Sequence, residues 1–208
     1  VFTGDKAISD FTLNGHDREP SWYRWSDKTE HIVIEEGITG IGSEAFSSFT
    51  ETKSITMGES VKRINRMAFW ANVSLREIKL SSNITVIQGD ALSGGRELET
   101  IKLPMHLRKM CSLSGQEKLE KIVMPDSITN MQSAMFSECK KLKYIKLPAK
   151  IKEIKSYDFA GCKKLKKLII PKSVKTVSMS AFAGSGLKKI VLPENVTTIK
   201  NGDAGRKV

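Results

Sequence analysis

The sequence predicts a solenoid of the α/β class: about eight coils of about 23 residues, mainly short parallel β-strands joined by loops and short helical turns. Three observations carry this prediction. An isoleucine or leucine recurs at near-constant spacing through most of the 208 residues, a second apolar column follows two residues behind it, and proline closes that pair in the later units.

The first column is Ile32, Ile55, Ile78, Ile101, Ile122, Ile145, Leu168 and Ile190, with spacings of 23, 23, 23, 21, 23, 23 and 22. Side chains two apart on a strand point to the same side, so Ile34, Met57, Leu80, Leu103, Met124, Leu147, Ile170 and Leu192 share the core face with these anchors. Proline then follows as Pro104, Pro125, Pro148, Pro171 and Pro193. Lacking an N–H for the ladder, it ends each strand at the same corner. Six and nine residues after the anchors lie two more apolar columns, starting at Ile38 and Ile41. Each unit then carries an apolar plug: Ala45-Phe46, Ala68-Phe69, Ala91-Leu92, Met135-Phe136, Asp158-Phe159 and Ala181-Phe182. Unit four, two residues short, is aligned with Ser114-Gly115 in that place, and the last unit has Gly202-Asp203-Ala204. A leucine three residues before the next anchor (Leu75, Leu98, Leu119, Leu142, Leu165, Leu187) completes Leu-x-x-Ile-x-Leu, the strand signature of a leucine-rich repeat. One coil cannot cover its own apolar side chains, each worth about 1.5–3 kcal/mol when fully buried, so stability must come from neighbouring coils.

The unit written most fully by Ile145 to Leu165 is Ile-x-Leu-Pro-x-x-Ile-x-x-Ile-x-x-x-x-Phe-x-x-Cys-x-x-Leu, and it resembles the BspA-type leucine-rich repeat of bacterial cell-surface proteins. The resemblance runs from about Ile32 to Ile199, and the Trp22-Tyr23 lead-in with the segment from His31 is similar to the N-terminal cap of such arrays. It implies a secreted or surface-exposed array that binds ligands in adhesion to host proteins or other cells. The expected organisation is a cap over residues 1–31 and the array over 32–208, with the lead-in aromatics Trp22, Tyr23 and Trp25 covering the first coil rather than stacking on a carbohydrate. The last unit carries no polar cap, so an end open to association is expected there.

Composition fits a folded chain, with 39% hydrophobic and 27% charged residues. No run approaches the roughly 18 consecutive apolar residues of a membrane span. The chain opens at Val1 without a charged-then-apolar leader, so the leader of an exported protein is expected to lie outside these residues. Charge is unevenly spread: residues 1–137 hold 16 basic and 18 acidic side chains, net −2, and residues 138–208 hold 18 and 5, net +13.

Chemistry is thin. His16, His31 and His106 have no ligand partner at metal spacing, and no Gly-x-Ser-x-Gly, phosphate loop or dinucleotide fingerprint occurs, so neither an enzyme nor a cofactor or metal is expected. Cys139 and Cys162 share one repeat column and are read as small buried thiols, against a reactive pair or an inter-coil disulfide; Cys111 stands at another offset. Asn72, Asn83 and Asn195 head glycosylation sequons, which this turn-then-core pattern produces without glycosylation.

A ligand is expected on the outward strand columns. The residues singled out are Lys121, Val123, Tyr144, Lys146, Lys167, Ile169 and Lys189, a cationic, aromatic and β-branched strip suited to a host or bacterial surface protein or a glycan. The plain counter-reading is that β-branched residues suit strands and lysine keeps a sheet soluble. Lys140, Lys141, Lys143, Lys163, Lys164, Lys166 and Lys188 should form a ridge attractive to polyanions, but no aromatic interleaving or groove-sized helix accompanies it, which argues against nucleic acid. The sequence thus leads to an interaction module binding through its strand face; the alternatives are a structural spacer in a larger surface protein, or polyanion binding by the basic half.

Overall fold

In the computed structural model, which describes residues 6–10 and 20–201, the chain is a parallel β-solenoid of about seven turns. His16 and Gly202-Asp203-Ala204 lie outside the described residues. The strands are β1 (His31–Ile34), β2 (Gly40–Ile41), β3 (Ser54–Met57), β4 (Arg63–Ile64), β5 (Glu77–Lys79), β6 (Val86–Ile87), β7 (Thr100–Ile101), β8 (Lys121–Val123), β9 (Tyr144–Lys146), β10 (Glu153–Ile154), β11 (Thr176–Ser178) and β12 (Thr198–Lys200). Two short 3-10 turns, Tyr23–Trp25 and Met179–Phe182, are the helical segments among the described residues.

Odd-numbered strands β1-β3-β5-β7 pair in parallel, with Ile32, Ile55, Ile78 and Ile101 in register as the spacing predicts, and a second ladder, β2-β4-β6, runs along another side of each coil. Both ladders stop at the short unit: β7 and β8 do not pair, and β6 has only a single bridge, Val86 to Lys109. Pairing resumes as β8-β9 on the first side and β10-β11-β12 on the second. A coil two residues shorter cannot keep both of its sides at the pitch of its neighbours, so the shortfall surfaces as a break in each ladder.

The structure corrects the alignment of that unit. Leu113, fully buried, holds the plug position, since its N–H donates to Met135 O at 2.9 Å as Phe136 N–H donates to Asp158 O at 2.9 Å. Ser114-Gly115 lies beyond the plug. The deletion falls between Met110 and Leu113, where other coils place a left-handed residue, and Ser112 Oγ donates to Ala134 O at 3.0 Å across the gap.

The interior is one apolar column. Anchors Ile32 through Ile145 are buried; Leu168 is half-buried and Ile190 is exposed. The plugs stack ring on ring, Phe46 on Phe69 at 5.6 Å and Phe136, Phe159 and Phe182 at 6.0 and 5.9 Å, with nearly parallel planes. Trp22 stacks on Phe46 at 5.8 Å while its indole N–H donates to Ala45 O at 2.8 Å, and Tyr23 meets Phe49 edge-on, so these two side chains do cover the first coil. Trp25 is exposed beneath the Arg24 guanidinium.

Around each plug the backbone alternates handedness. Glu44, Met67, Asp90, Ala134 and Tyr157 in one column, and Ser48, Ala71, Gly94, Gly115, Glu138, Gly161 and Gly184 in another, have positive φ. These kinks aim alternate N–H groups at the next coil, as in Glu44 to Arg66 O, Phe46 to Ala68 O and Ser48 to Trp70 O at 3.1, 2.8 and 2.7 Å. Where the column lacks glycine, Ala71 at φ 57° carries a left-handed cost of about 1–2 kcal/mol. Ala71→Gly relieves it against a loss of about 0.4–1 kcal/mol through the looser unfolded chain. A net gain of about 0.5–1 kcal/mol and a Tm roughly 2 °C higher is expected. A lowered Tm would contradict this account of the turn.

A second set of staples crosses coils inside the core. Asn72 Oδ1 accepts Phe49 N–H at 2.9 Å, Gln116 Nε2 donates to Leu92 O at 2.9 Å, and the Cys139 and Cys162 thiols donate to Leu113 O and Phe136 O at 3.2 and 3.1 Å. All three cysteines are free and buried; burial pushes the Cys111 and Cys162 thiols up to about 12 and that of Cys139 higher still. Asn72 is 1% exposed, which closes it to glycosylation in the folded chain.

Candidate binding surface

The outward columns of the first side, whose ladder is interrupted between β7 and β8, change in chemistry along the solenoid. Its early coils are acidic at the strand ends. Glu36 accepts the N–H groups of Glu59 and Ser60 at 2.6 and 2.9 Å, and Glu59 accepts that of Ser82 at 2.7 Å. The Ser60 and Ser82 hydroxyls lead in holding these carboxyls below the usual carboxylate range. Asp126 Oδ1 accepts Ala149 N–H at 2.8 Å. Each carboxylate, four residues after its anchor, clasps the corner of the following coil.

In the sixth and seventh coils Ala149 and Lys172 occupy that clasping position. There the first ladder ends. Among the described residues no backbone hydrogen bond joins Lys167–Ile170 to Tyr144–Leu147 or to Lys189–Leu192. Ser82 and Met105 stand at the same position in the third and fourth coils, and β5 and β7 pair all the same, so a carboxylate there is not required for pairing.

Of the residues picked from sequence, Lys121, Val123, Tyr144 and Lys146 come together on the paired strands β8 and β9, with Lys121 opposite Tyr144 and Val123 opposite Lys146. Lys121 Nζ lies 5.4 Å from the centre of the Tyr144 ring, and Lys146 Nζ lies 3.8 Å from Asp126 Oδ2. Tyr144 and Val123 are half exposed. An exposed cation–π pair is worth about 0.5–1 kcal/mol, enough to pre-orient the ring on the face.

Lys167, Ile169 and Lys189 sit further along, on the two unpaired coils, and border a groove of about 590 Å3. It is lined by Ile169, Ile170, Val191 and Pro193 together with Lys166, Lys167, Lys172 and Lys189. Sequence columns singled out neither Lys172 nor Pro193, which stand past the strand at the corner. The substitution of lysine for the clasping carboxylate at position 172 was the available signal. A second, smaller groove of about 420 Å3 opens between β7 and β8, at the ladder break, with Ile101, Leu103 and Val123 in its walls.

The lysine ridge is partly neutralised. Lys140 pairs with Glu117 and Lys143 with Glu120, each at 2.9 Å. Lys163, Lys164, Lys166 and Lys188 have no carboxylate within 4.0 Å among the described residues. Exposed pairs of this kind stabilise little, about 0–1 kcal/mol, but they cancel field.

His31 Nδ1 lies 2.8 Å from Ser54 Oγ on the acidic end of the face, and His106 is exposed at a corner. Among the described residues no group of three or more His, Cys, Asp or Glu side chains is placed to hold a metal ion. No described helix is long and apolar enough to cross a membrane.

The comparison with known proteins agrees with the geometry. A family model described as the BspA type leucine rich repeat region matches in six copies over residues 19–114 and 110–202. Among solved structures, a leucine-rich repeat protein from Bacteroides ovatus is 30% identical with a TM-score of 0.77, covering 83% of this chain and 45% of that one. A leucine-rich repeat protein from T. pallidum is 21% identical with a TM-score of 0.71, covering 86% of this chain and 81% of that one, and shows the shared fold. This chain therefore spans less than half the length of the Bacteroides ovatus protein. No curated protein matches it.

Proposed function

Because the chain belongs to the family of BspA-type leucine-rich repeat regions, we propose that it is a non-catalytic interaction module that docks a protein or glycan partner on its strand face, outside the cell or at a cell surface. The observation that carries this reading is the run of exposed aromatic and β-branched side chains among lysines along the strand side of successive coils: Tyr144, Val123 and Ile169 beside Lys121, Lys146, Lys167 and Lys189. Aromatic and aliphatic groups at the centre of a patch supply most of the energy of protein docking, and peripheral charge supplies approach and orientation. Nothing in the solenoid's interior requires these side chains, since each strand's inward neighbours already fill the core. The role as an adhesion surface, and its placement in a longer surface protein, fit a chain that matches under half of its Bacteroides ovatus relative.

The test is binding to arrays of glycans and of surface proteins, by the intact chain and by Tyr144→Ala/Lys146→Glu. Both substitutions are on exposed positions and leave the fold intact, which a thermal melt verifies. We expect bound signal to fall at least tenfold, as befits a central aromatic anchor worth about 2 kcal/mol or more. Signal unchanged in the variant would remove β8 and β9 as the docking face. Loss of all binding between 50 and 300 mM salt, in wild type and variant alike, would mark simple polyanion capture by the unpaired lysines.

A further inference from the structure

We infer that the break in the first ladder between β7 and β8 is a binding site for an acidic saccharide, whose hydroxyls reach free backbone groups in the gap and whose carboxylates meet the lysines beside it. The inference deepens the strand-face reading, naming the chemistry of the partner, and rests on it. The gap belongs to the coil that is two residues short. There β5 pairs with β7 and β8 with β9, but among the described residues no backbone hydrogen bond joins Glu99–Leu103 to Glu120–Val123. The plug side of the same junction stays closed, with Leu113 N–H donating to Met135 O at 2.9 Å and Gly115 N–H to Ser137 O at 2.7 Å. The next junction shows which groups are left free. Across it Tyr144 N–H donates to Glu120 O at 3.3 Å and Met124 N–H to Lys146 O at 3.0 Å. One coil earlier the same positions are held by Lys121, Glu99, Leu103 and Val123, so two donors, the N–H groups of Lys121 and Leu103, and two acceptors, the carbonyls of Glu99 and Val123, border the gap without bonding across it.

The width of the gap selects the ligand. Cα atoms of β7 and β8 come within 8 Å of one another, whereas a strand entering between them needs about 9.5 Å, twice the strand spacing. A peptide strand is therefore shut out. The free donors and acceptors are open to groups the size of a hydroxyl, which both donates and accepts. At the gap lies the groove of about 420 Å3, and a second of about 460 Å3 shares Thr100 and Lys121 with it. Both volumes fall in the range of ligand pockets, roughly 300–1,000 Å3. Charge favours an anion: Lys102, Lys118, Lys121 and Lys141 line the two grooves and are in no ion pair among the described residues, whereas of the lining carboxylates Glu99 and Glu120 the second is already paired with Lys143. The Lys121 ammonium lies by the Tyr144 ring on β9, the strand on the other side from β7. Ile101, Leu103 and Val123 give the groove an apolar wall suited to the C–H face of a sugar ring, and the half-exposed Tyr144 offers a ring face one strand further on. An acidic peptide meets the lysines but leaves the donors and acceptors of the gap unused, which is why the observations favour a saccharide.

The experiment is calorimetric titration of the intact chain with tetragalacturonate, compared with the neutral galactose tetramer, an octaglutamate peptide and a heparin oligosaccharide, together with amide hydrogen exchange in the free and saturated chain. We expect tetragalacturonate to bind at least tenfold more tightly than each of the others, and exchange at Leu103 and Lys121 to slow when it is bound. Thr100→Val/Lys102→Glu, at two exposed positions, should keep the thermal melt of the wild type and weaken binding at least tenfold; Tyr144→Ala/Lys146→Glu should weaken it at least threefold. Equal affinity for octaglutamate or heparin would reduce the site to a generic polyanion patch and overturn the inference, as would equal affinity for the neutral tetramer. Unchanged exchange at Leu103 and Lys121 in the saturated chain would overturn the part given to the gap. If no saccharide binds, or Thr100→Val/Lys102→Glu binds as wild type, while array binding is still lost in Tyr144→Ala/Lys146→Glu, the gap inference fails and the strand-face reading stands. If binding follows Thr100 and Lys102 and is insensitive to Tyr144 and Lys146, the docking face on β8 and β9 is the part that fails.

Discussion

Phe159→Ala is expected to destabilise the chain by about 3–5 kcal/mol. The ring is fully buried and sandwiched between Phe136 at 6.0 Å and Phe182 at 5.9 Å, so its removal costs both transfer energy and two ring contacts, and neither neighbour can move in without leaving its own coil. A stacked array couples mainly to nearest neighbours, so the loss concentrates in coils five to seven. All three tryptophans, Trp22, Trp25 and Trp70, lie in the lead-in and the first two coils and report the other end. In urea the far-ultraviolet circular dichroism of the variant should begin to fall at lower denaturant than the tryptophan fluorescence. A total loss below about 1 kcal/mol would mean that the ring column does not hold the coils together.

The second large effect is on pH. Asp158 occupies a column that elsewhere holds Ala45, Ala68, Ala91, Ser112, Met135 and Ala181, and it is fully buried. Its carboxylate accepts Lys155 N–H at 2.7 Å and Met135 N–H at 3.3 Å, which favours ionisation, but burial outweighs these bonds and pushes the group up to about 7 from an ordinary value of 3.8. The sign follows from linkage. Between about pH 4 and 7 the folded chain holds a proton that the unfolded chain has released, so stability rises as pH falls through that window, and above it the full cost of the buried charge applies. A tenfold change in proton affinity between the folded and unfolded chain corresponds to about 1.4 kcal/mol. Asp158→Asn keeps one acceptor oxygen and removes the charge. It should be more stable than wild type by on the order of 2 kcal/mol at pH 8, with the gap closing toward pH 5. Urea midpoints of both proteins across this range are the check, and a gap that stays constant from pH 8 to 5 would show that Asp158 stays ionised throughout. The comparison between proteins also removes the background self-repulsion of a chain with formal charge +11.

Much of the architecture was readable because a repeat displays its physics many times over. Any single Ile-x-Leu pair is weak evidence, but eight in phase specify which face is inward, and Ile32, Ile55, Ile78 and Ile101 indeed align across four strands. The Trp22 and Tyr23 cap was legible for a related reason: an end coil needs cover, and large aromatics directly precede it. Leu113 was misplaced because a two-residue deletion can be set on either side of a plug without harming the apolar count; hydrogen-bond register decides, and register is a property of two coils at once. The left-handed positions at Glu44, Met67, Tyr157 and Glu138 had no signal at all, since none of these residue types advertises positive φ. Of the surface, the lysine and β-branched columns could be listed from sequence, whereas the division of the lysine ridge into paired Lys140 and Lys143 and unpaired Lys163, Lys164, Lys166 and Lys188 could not.

By itself, the sequence determined the coil, its inward and outward residues, and the acidic-to-basic gradient along the array, because these follow from periods of two and about 23 residues and from charge counting. Only the tertiary structure decided where the ladder opens. Pairing is a matter of hydrogen bonds between residues about 23 apart, such as Ser60 N–H to Glu36, which no local pattern encodes: β5 and β7 pair with Ser82 at the clasping position, whereas the strand segments beyond β9 do not pair. The groove at Ile169 and Val191 lies where the first side of the coils carries no ladder while β11 and β12 pair on the second.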